Sequence, residues 1–230
     1  MYKNKTILAI VPARGNSKGI KNKNLKKIKG FSLVEHAGNI LKRISWIDYS
    51  IISSDSDKII KAAKKSNLEC IFKRPKNISG DRIGDHAVIE HALKTVEKLK
   101  KNKIDIILLI QPTSPLRKVI HIKNVIKKII DKKLDSVWTI SKVDLKFHPL
   151  KQLTLQNNIL SHYNEKGKSI IARQQLNNTY YRNGVAYAVT RKLVLKNKNL
   201  IGNKSSGYLI NTPQVSIDTL KDLKLANKLI

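Results

Sequence analysis

Thr6-Ile7-Leu8-Ala9-Ile10-Val11-Pro12 is an unbroken apolar run that leads straight into Ala13-Arg14-Gly15-Asn16-Ser17-Lys18-Gly19. Such a run, ended by glycine and charge, is what a central parallel strand buried on both faces requires. A second run, Asp105–Ile110, stops at Gln111-Pro112-Thr113-Ser114-Pro115, where the two prolines forbid further ladder bonds. Outward from these two strands, helical spacing covers Ser32–Arg43, Asp57–Ser66, Asp85–Lys100, Val119–Lys133 and Thr219–Ile230. Ser50–Ser53, Glu69–Phe72, Ser136–Ile140, Gly184–Thr190 and Gln214–Ile217 read as strands. Strands alternating with helices predict an α/β fold: a three-layer sandwich around a mostly parallel sheet, in one domain spanning 1–230. Between Val143 and Tyr181 the chain turns polar and irregular, and this stretch reads as a β-rich insertion. Ligands of such sheets bind at the carboxyl ends of the strands, where the clusters after Pro12 and Ile110 and at Asp218 fall.

Lys and Arg number 46 against 16 Asp and Glu, a formal charge of +30. Nucleic-acid binding is one reading of that excess. The lysines are scattered through helices and not gathered in an arm. Aromatic residues are only 5%, which leaves few platforms for stacking bases. The expectation is therefore no nucleic-acid partner, and a surface that favours small polyanions. No apolar run reaches the ~18 residues of a membrane span, so no membrane association is expected. Cys70 is the only cysteine, which excludes an internal disulfide and makes the cytoplasm the expected compartment. It reads as a small buried hydrophobe.

The loop after the first strand has neither the Walker spacing nor G-x-G-x-x-G. Its chemistry still suits phosphate. Arg14, Lys18 and Lys23 supply charge, Ser17 and Asn24 supply hydrogen bonds, and a glycine-containing turn exposes backbone N–H groups.

The stretch Pro12–Leu25 resembles the nucleotide-binding signature of the CMP-sialic acid synthetase (acylneuraminate cytidylyltransferase) family. Further motifs follow in order: Arg74-Pro75, Ser79-Gly80-Asp81, His91-Ala92-Leu93, Gln111–Arg117, His148–Lys151, Arg173-Gln174-Gln175, Tyr181–Tyr187 and Ser216–Thr219. The resemblance spans about residue 7 to 230. It implies that the anomeric hydroxyl of a nonulosonic acid attacks the α-phosphate of CTP, releasing pyrophosphate. Arg14, Ser17, Lys18, Lys23, Asn24 and Asp81 would then bind nucleotide. Arg14, Lys18 and Asp218 would serve catalysis, and Gln111, Arg173 and Tyr187 would contact the sugar, Arg173 as a fork on its carboxylate. The resemblance also implies a homodimer whose Val143–Tyr181 arm completes the partner's sugar pocket.

Two positions depart from that pattern. The family ends in an Asp-x-Asp pair that holds Mg²⁺ (or Mn²⁺); here it reads Ser216-Ile217-Asp218, with one carboxylate. Mg²⁺ takes one or two carboxylates plus phosphate and water, so Asp218 alone suffices in principle, while capping of the last helix is its competing role. Arg82 stands where a small hydroxyl residue is usual. A keto-deoxy-octulosonate enzyme fits less well, because the first loop differs. A degenerate enzyme with weak metal binding and a basic nucleic-acid-binding protein are the other readings. His86 and His91 lack zinc-site spacing. Asp55 and Asp57 are candidates for a ribose contact or a helix cap, and His148 for a loop-shaping role.

Overall fold

The computed structural model describes all 230 residues. The chain starts with β1 (Ile7–Pro12), runs through a hairpin of β2 (Lys27–Ile28) and β3 (Phe31–Ser32), then enters α1 (Leu33–Leu41), β4 (Tyr49–Ser53) and α2 (Asp57–Lys64). It continues through α3 (Asp85–Lys100), β5 (Ile106–Leu109), α4 (Val119–Asp131) and β6 (Ser136–Lys142). A hairpin of β7 (Leu153–Gln156) and β8 (Ile159–His162) precedes β9 (Tyr180–Thr190), α5 (Arg191–Lys196), β10 (Ser205–Leu209) and α6 (Leu220–Leu229).

Six strands form the central sheet in the order β10-β6-β9-β5-β1-β4. All its pairs are parallel except those of β9, which runs antiparallel to both β5 and β6. The apolar run of β1 is buried on both faces, as its composition requires. Ile7, Ala9 and Val11 pack with Val34, Ala37, Ile122 and Ile126 of α1 and α4. Leu8 and Ile10 pack with Ile89, Ala92, Leu93 and Val96 of α3. Each buried Val, Leu or Ile among them contributes roughly 1.5–3 kcal/mol. The outcome is the expected three-layer α/β sandwich.

A smaller cluster positions the site. Ile20, Ile28, Leu33, Val215, Ile217 and Ala226 pack together, binding the segment before α6 to the loop after β1. Gly19 lets the two backbones meet: a Cβ there would lie 2.8 Å from the Asp218 carbonyl oxygen.

Several local expectations need correction. Gln214–Ile217 is not a strand. Val215 and Ile217 are buried in that third cluster and Ser216 is exposed, so the alternation is real, but the Ile217 N–H bonds Thr113 O instead of a ladder. Glu69–Phe72 contributes one bridge, Glu69 to Ile51. Edge strand β10 escaped notice because Ser205-Ser206-Gly207 has little strand propensity. Ser32 is the N-cap of α1, in a capping box with Glu35. The 143–181 segment holds short 3₁₀ turns and the single β7–β8 hairpin, with Tyr180 and Tyr181 already in β9, so it is turn-rich and not β-rich.

Candidate active site

A cleft of about 480 Å³ opens at the carboxyl ends of β1 and β5. Arg14, Ser17, Lys18, Lys23 and Asn24 line it from the first loop, Asp81 from the segment before α3, Gln111 from the end of β5, and Asp218 from the segment before α6. Eight of the expected site residues thus come together although they are spread over 200 positions of the chain.

The loop after β1 is pinned from three sides. The Ala13 N–H donates to Ser53 O at 3.0 Å. The Gly15 N–H donates to Asp55 Oδ1 at 2.8 Å, so Asp55 shapes the loop. Asn24 is buried, and its Nδ2 donates to Arg14 O at 3.2 Å, so this amide holds the loop as well as lining the cleft. Asp57 pairs with Lys73 at 2.8 Å in the first turn of α2, which turns it to that partner instead of to a ribose.

Asp81 bonds Arg14 and, at 2.7 Å, Lys18. Hydrogen bonds from Lys18 and then Arg14 hold its carboxyl below the usual range. A carboxylate therefore sits on the two cations assigned to phosphate. Any anion binding at Arg14 and Lys18 would have to displace that carboxylate.

Asp218 is exposed, and Lys23 Nζ lies 2.8 Å from its Oδ1. Ser216 Oγ reaches its Oδ2 at 3.4 Å. Capping is not its role. Thr219 is the N-cap of α6, its Oγ1 accepting from the Asp222 N–H at 3.3 Å, and the Asp222 carboxylate returns bonds to the Thr219 and Asp218 N–H groups. The Asp218 side chain is left facing the cleft. No three His, Cys, Asp or Glu residues gather anywhere in the chain. The donor set thus fits a hard cation taking one protein carboxylate, with phosphate and water completing its shell, and not a metal caged by protein alone. His86 bonds Val194 O at 2.8 Å and His91 packs edge-on to Phe72, so neither forms a zinc site.

Two expected sugar contacts lie elsewhere. Arg173 is exposed on the 143–181 segment, beside Lys142–Leu145 and outside its own chain's cleft. Tyr187 is only 2% exposed: it stacks on Trp138 at 4.5 Å and its Oη accepts the Gly184 N–H at 2.7 Å. Burial pushes its hydroxyl up to about 12. It backs the site wall and does not line the cleft.

Two further residues emerge. Arg74 lines the cleft from below, its Nε donating to Ser53 Oγ at 3.0 Å. Burial lowers it to about 10, leaving it cationic at neutral pH. Its place in the Arg74-Pro75 motif was the available signal. Asp85, the first residue of α3, lines the cleft beside Gln111, and burial raises its carboxyl against the opposing pull of Arg182 and Arg74. As the first residue of a helix its carboxylate is favoured by the helix dipole, and that position carries no separate signal of a ligand.

Known proteins resemble this chain along nearly its whole length. A cytidylyltransferase family model matches residues 8–228. The CMP-N,N'-diacetyllegionaminic acid synthase of Legionella pneumophila is 27% identical, covering 97% of this chain and 96% of its own. The pseudaminic acid cytidylyltransferase of Campylobacter jejuni is 27% identical over 95% and 94%. Among solved structures, a CMP-2-keto-3-deoxy-manno-octonic acid synthetase complexed with CTP superposes with a TM-score of 0.71 over 98% of both chains, and at 13% identity it speaks for the fold alone. With nearly every residue from β1 to α6 inside the matched span, the chain belongs to the cytidylyltransferase family.

Proposed function

We propose that this chain transfers the cytidylyl group of CTP to the anomeric hydroxyl of a nonulosonic acid, giving the CMP-sugar and pyrophosphate. The observation that carries the reading is the convergence of Arg14, Lys18, Lys23, Asp218 and Gln111 on one cleft. Curated relatives named for legionaminic and pseudaminic acids support the sugar class. The hydroxyl oxygen forms a bond to the α-phosphorus, the bond from that phosphorus to the β-phosphate oxygen breaks with pyrophosphate leaving, and the hydroxyl proton passes to solvent water. No enzyme nucleophile is needed, so positioning and charge carry the catalysis. Arg14 and Lys18, released from Asp81, stabilise charge on the α-phosphate and departing pyrophosphate. Gln111 orients the sugar beside Asp85. Ser17, Lys23 and Asn24 hold the nucleotide. Asp218 would hold a Mg²⁺ (or Mn²⁺) ion together with the phosphates, and the ion would supply Lewis-acid charge neutralisation.

Nucleotide choice and phosphate contacts are tested together by thermal shift. CTP should raise the melting temperature more than equal ATP or GTP. Arg14→Ala and Lys18→Ala should each shrink that rise and lower kcat/KM by at least about tenfold, the size of one charge-assisted contact. Equal shifts for all three nucleotides, or near-normal activity in both variants, would remove the loop from the site.

The active unit is a homodimer in this proposal. Leu153, Leu155, Ile159 and Leu160 of the β7–β8 hairpin and Ile171 are each more than half exposed, Ile171 at 93%. A second copy would cover them and receive Arg173 at its own sugar site. Light scattering at micromolar concentration should give twice the chain mass, and a monomer would leave Arg173 without a role. No helix is long and apolar enough to cross a membrane, and we place the reaction in the cytoplasm, where the lone Cys70 stays reduced.

A further inference from the structure

The turn from Gly80 to Gly84 borders the cleft through Gly80, Asp81 and Ile83, and all five of its residues are exposed. Of its N–H groups only that of Ile83 makes a hydrogen bond, at 3.4 Å to Gly80 O within the turn itself. A Cβ on Gly84 would meet nothing within 4 Å, so the turn is loosely packed where it joins α3. Its tie across the cleft is the Asp81 carboxylate, which bonds Arg14 and Lys18 of the loop after β1.

Asp81 also stands on a boundary. With Ser17 and Lys18 it lines both the cleft and a second hollow of about 240 Å³, whose other walls are Gly15, Asn16, Lys21 and Asn22, with no apolar side chain. Polar space suited to phosphate therefore lies on both sides of the carboxylate. Three carboxylates line the cleft: Asp81, Asp85 and Asp218. Asp81 alone bonds two cations, while Asp218 bonds only Lys23.

We propose that Asp81 is an exchangeable counter-ion, yielding Arg14 and Lys18 to an incoming polyphosphate and returning to them as pyrophosphate departs. The chain tethers it beside the two cations, so it competes at a high effective concentration. A ligand that binds only the unlatched form has its affinity reduced by the unlatched fraction. The weakly held turn lets the carboxylate swing aside without breaking the fold. The consequence is a product held less tightly than the bare cations would hold it. A carboxylate that instead contacted bound nucleotide would strengthen the complex, so the two roles have opposite signs on removal. This deepens the cytidylyl transfer reading above and rests on its assignment of Arg14 and Lys18 to phosphate.

The test is calorimetric titration of inorganic pyrophosphate into wild type and Asp81→Asn at one fixed salt concentration. The variant should bind about threefold to tenfold more tightly, the range that two partly exposed ion pairs allow. Pyrophosphate should inhibit CMP-sugar formation by the variant at a correspondingly lower concentration. Asp57→Asn is the control for net charge: Asp57 is exposed, pairs with Lys73 and lies outside the cleft, so its removal should leave pyrophosphate affinity unchanged. Asp81 is exposed, so a folded variant is expected, and circular dichroism checks it. Unchanged or weaker binding in Asp81→Asn, or an equal gain in Asp57→Asn, overturns the counter-ion role while leaving cytidylyl transfer standing. No pyrophosphate binding to either protein removes phosphate from Arg14 and Lys18 and takes down that assignment together with the counter-ion role.

Discussion

Asp218→Asn is expected to lower turnover by on the order of 100-fold while leaving the melting temperature within a degree or so of wild type. The size follows from the several kcal/mol that a metal's charge contributes to a phosphoryl transition state, at about 1.4 kcal/mol per tenfold. An amide keeps the shape of the side chain but withdraws the negative oxygen that a hard cation seeks. Stability should hold because α6 is capped by Thr219 and Asp222, and Asp218 contributes only a backbone N–H to that arrangement. The Lys23 partner is lost too, but Asp218 is 70% exposed, and pairs of that kind contribute little. Ser216→Asp is the complement. Ser216 Oγ already lies 3.4 Å from Asp218 Oδ2, so a carboxylate there would stand beside the first and should lower the Mg²⁺ concentration for half-maximal rate. Unchanged Mg²⁺ dependence in Ser216→Asp, with full activity in Asp218→Asn, would put the metal elsewhere.

Arg117→Met should be the most destabilising of the changes considered, by about 3 kcal/mol. Arg117 is 4% exposed and has no carboxylate partner. Its Nε donates to Val185 O at 3.0 Å, and Nη2 donates to Gln111 O and Gly184 O. Burial lowers its pKa to about 9. Methionine fills much of the space and relieves a buried charge, which opposes the loss. The loss wins because Val185 O and Gly184 O each lose the guanidinium donor, at about 1–3 kcal/mol each, while Gln111 O keeps only the Ser114 N–H. The same bonds tie Gln111 to Gly184, where φ is +73° and a Cβ would lie 2.5 Å from Ser114 Oγ. Activity should therefore fall more steeply than stability as Gln111 loses its anchor. Urea denaturation measures the first effect, and a variant within about 0.5 kcal/mol of wild type would show that Arg117 is dispensable to the fold.

The parts legible from sequence were those written in local patterns. The runs at β1 and β5 announced a doubly covered parallel sheet, and the loop singled out after β1 lines the cleft. What escaped depended on contacts between distant segments. Val215 and Ile217 alternate like a strand but are buried against Ile20 and α6. The resemblance placed Tyr187 against the sugar, but antiparallel pairing of β9 with β6 turns it onto Trp138. Asp81 looked like a nucleotide contact, and only the fold reveals that it occupies Arg14 and Lys18 first. The position of Arg173 outside the cleft follows from the path of 143–181, which no periodicity encodes.

The central claim is tested most directly by pyrophosphate release. Purified protein would be supplied with CTP, a panel of nonulosonic acids, and Mg²⁺, with each component omitted in turn. The account expects release only when all three are present, with at least one acid turned over and with ATP and GTP failing to replace CTP. Absence of release with every acid, together with tight binding of random DNA that weakens steeply with salt, would contradict it.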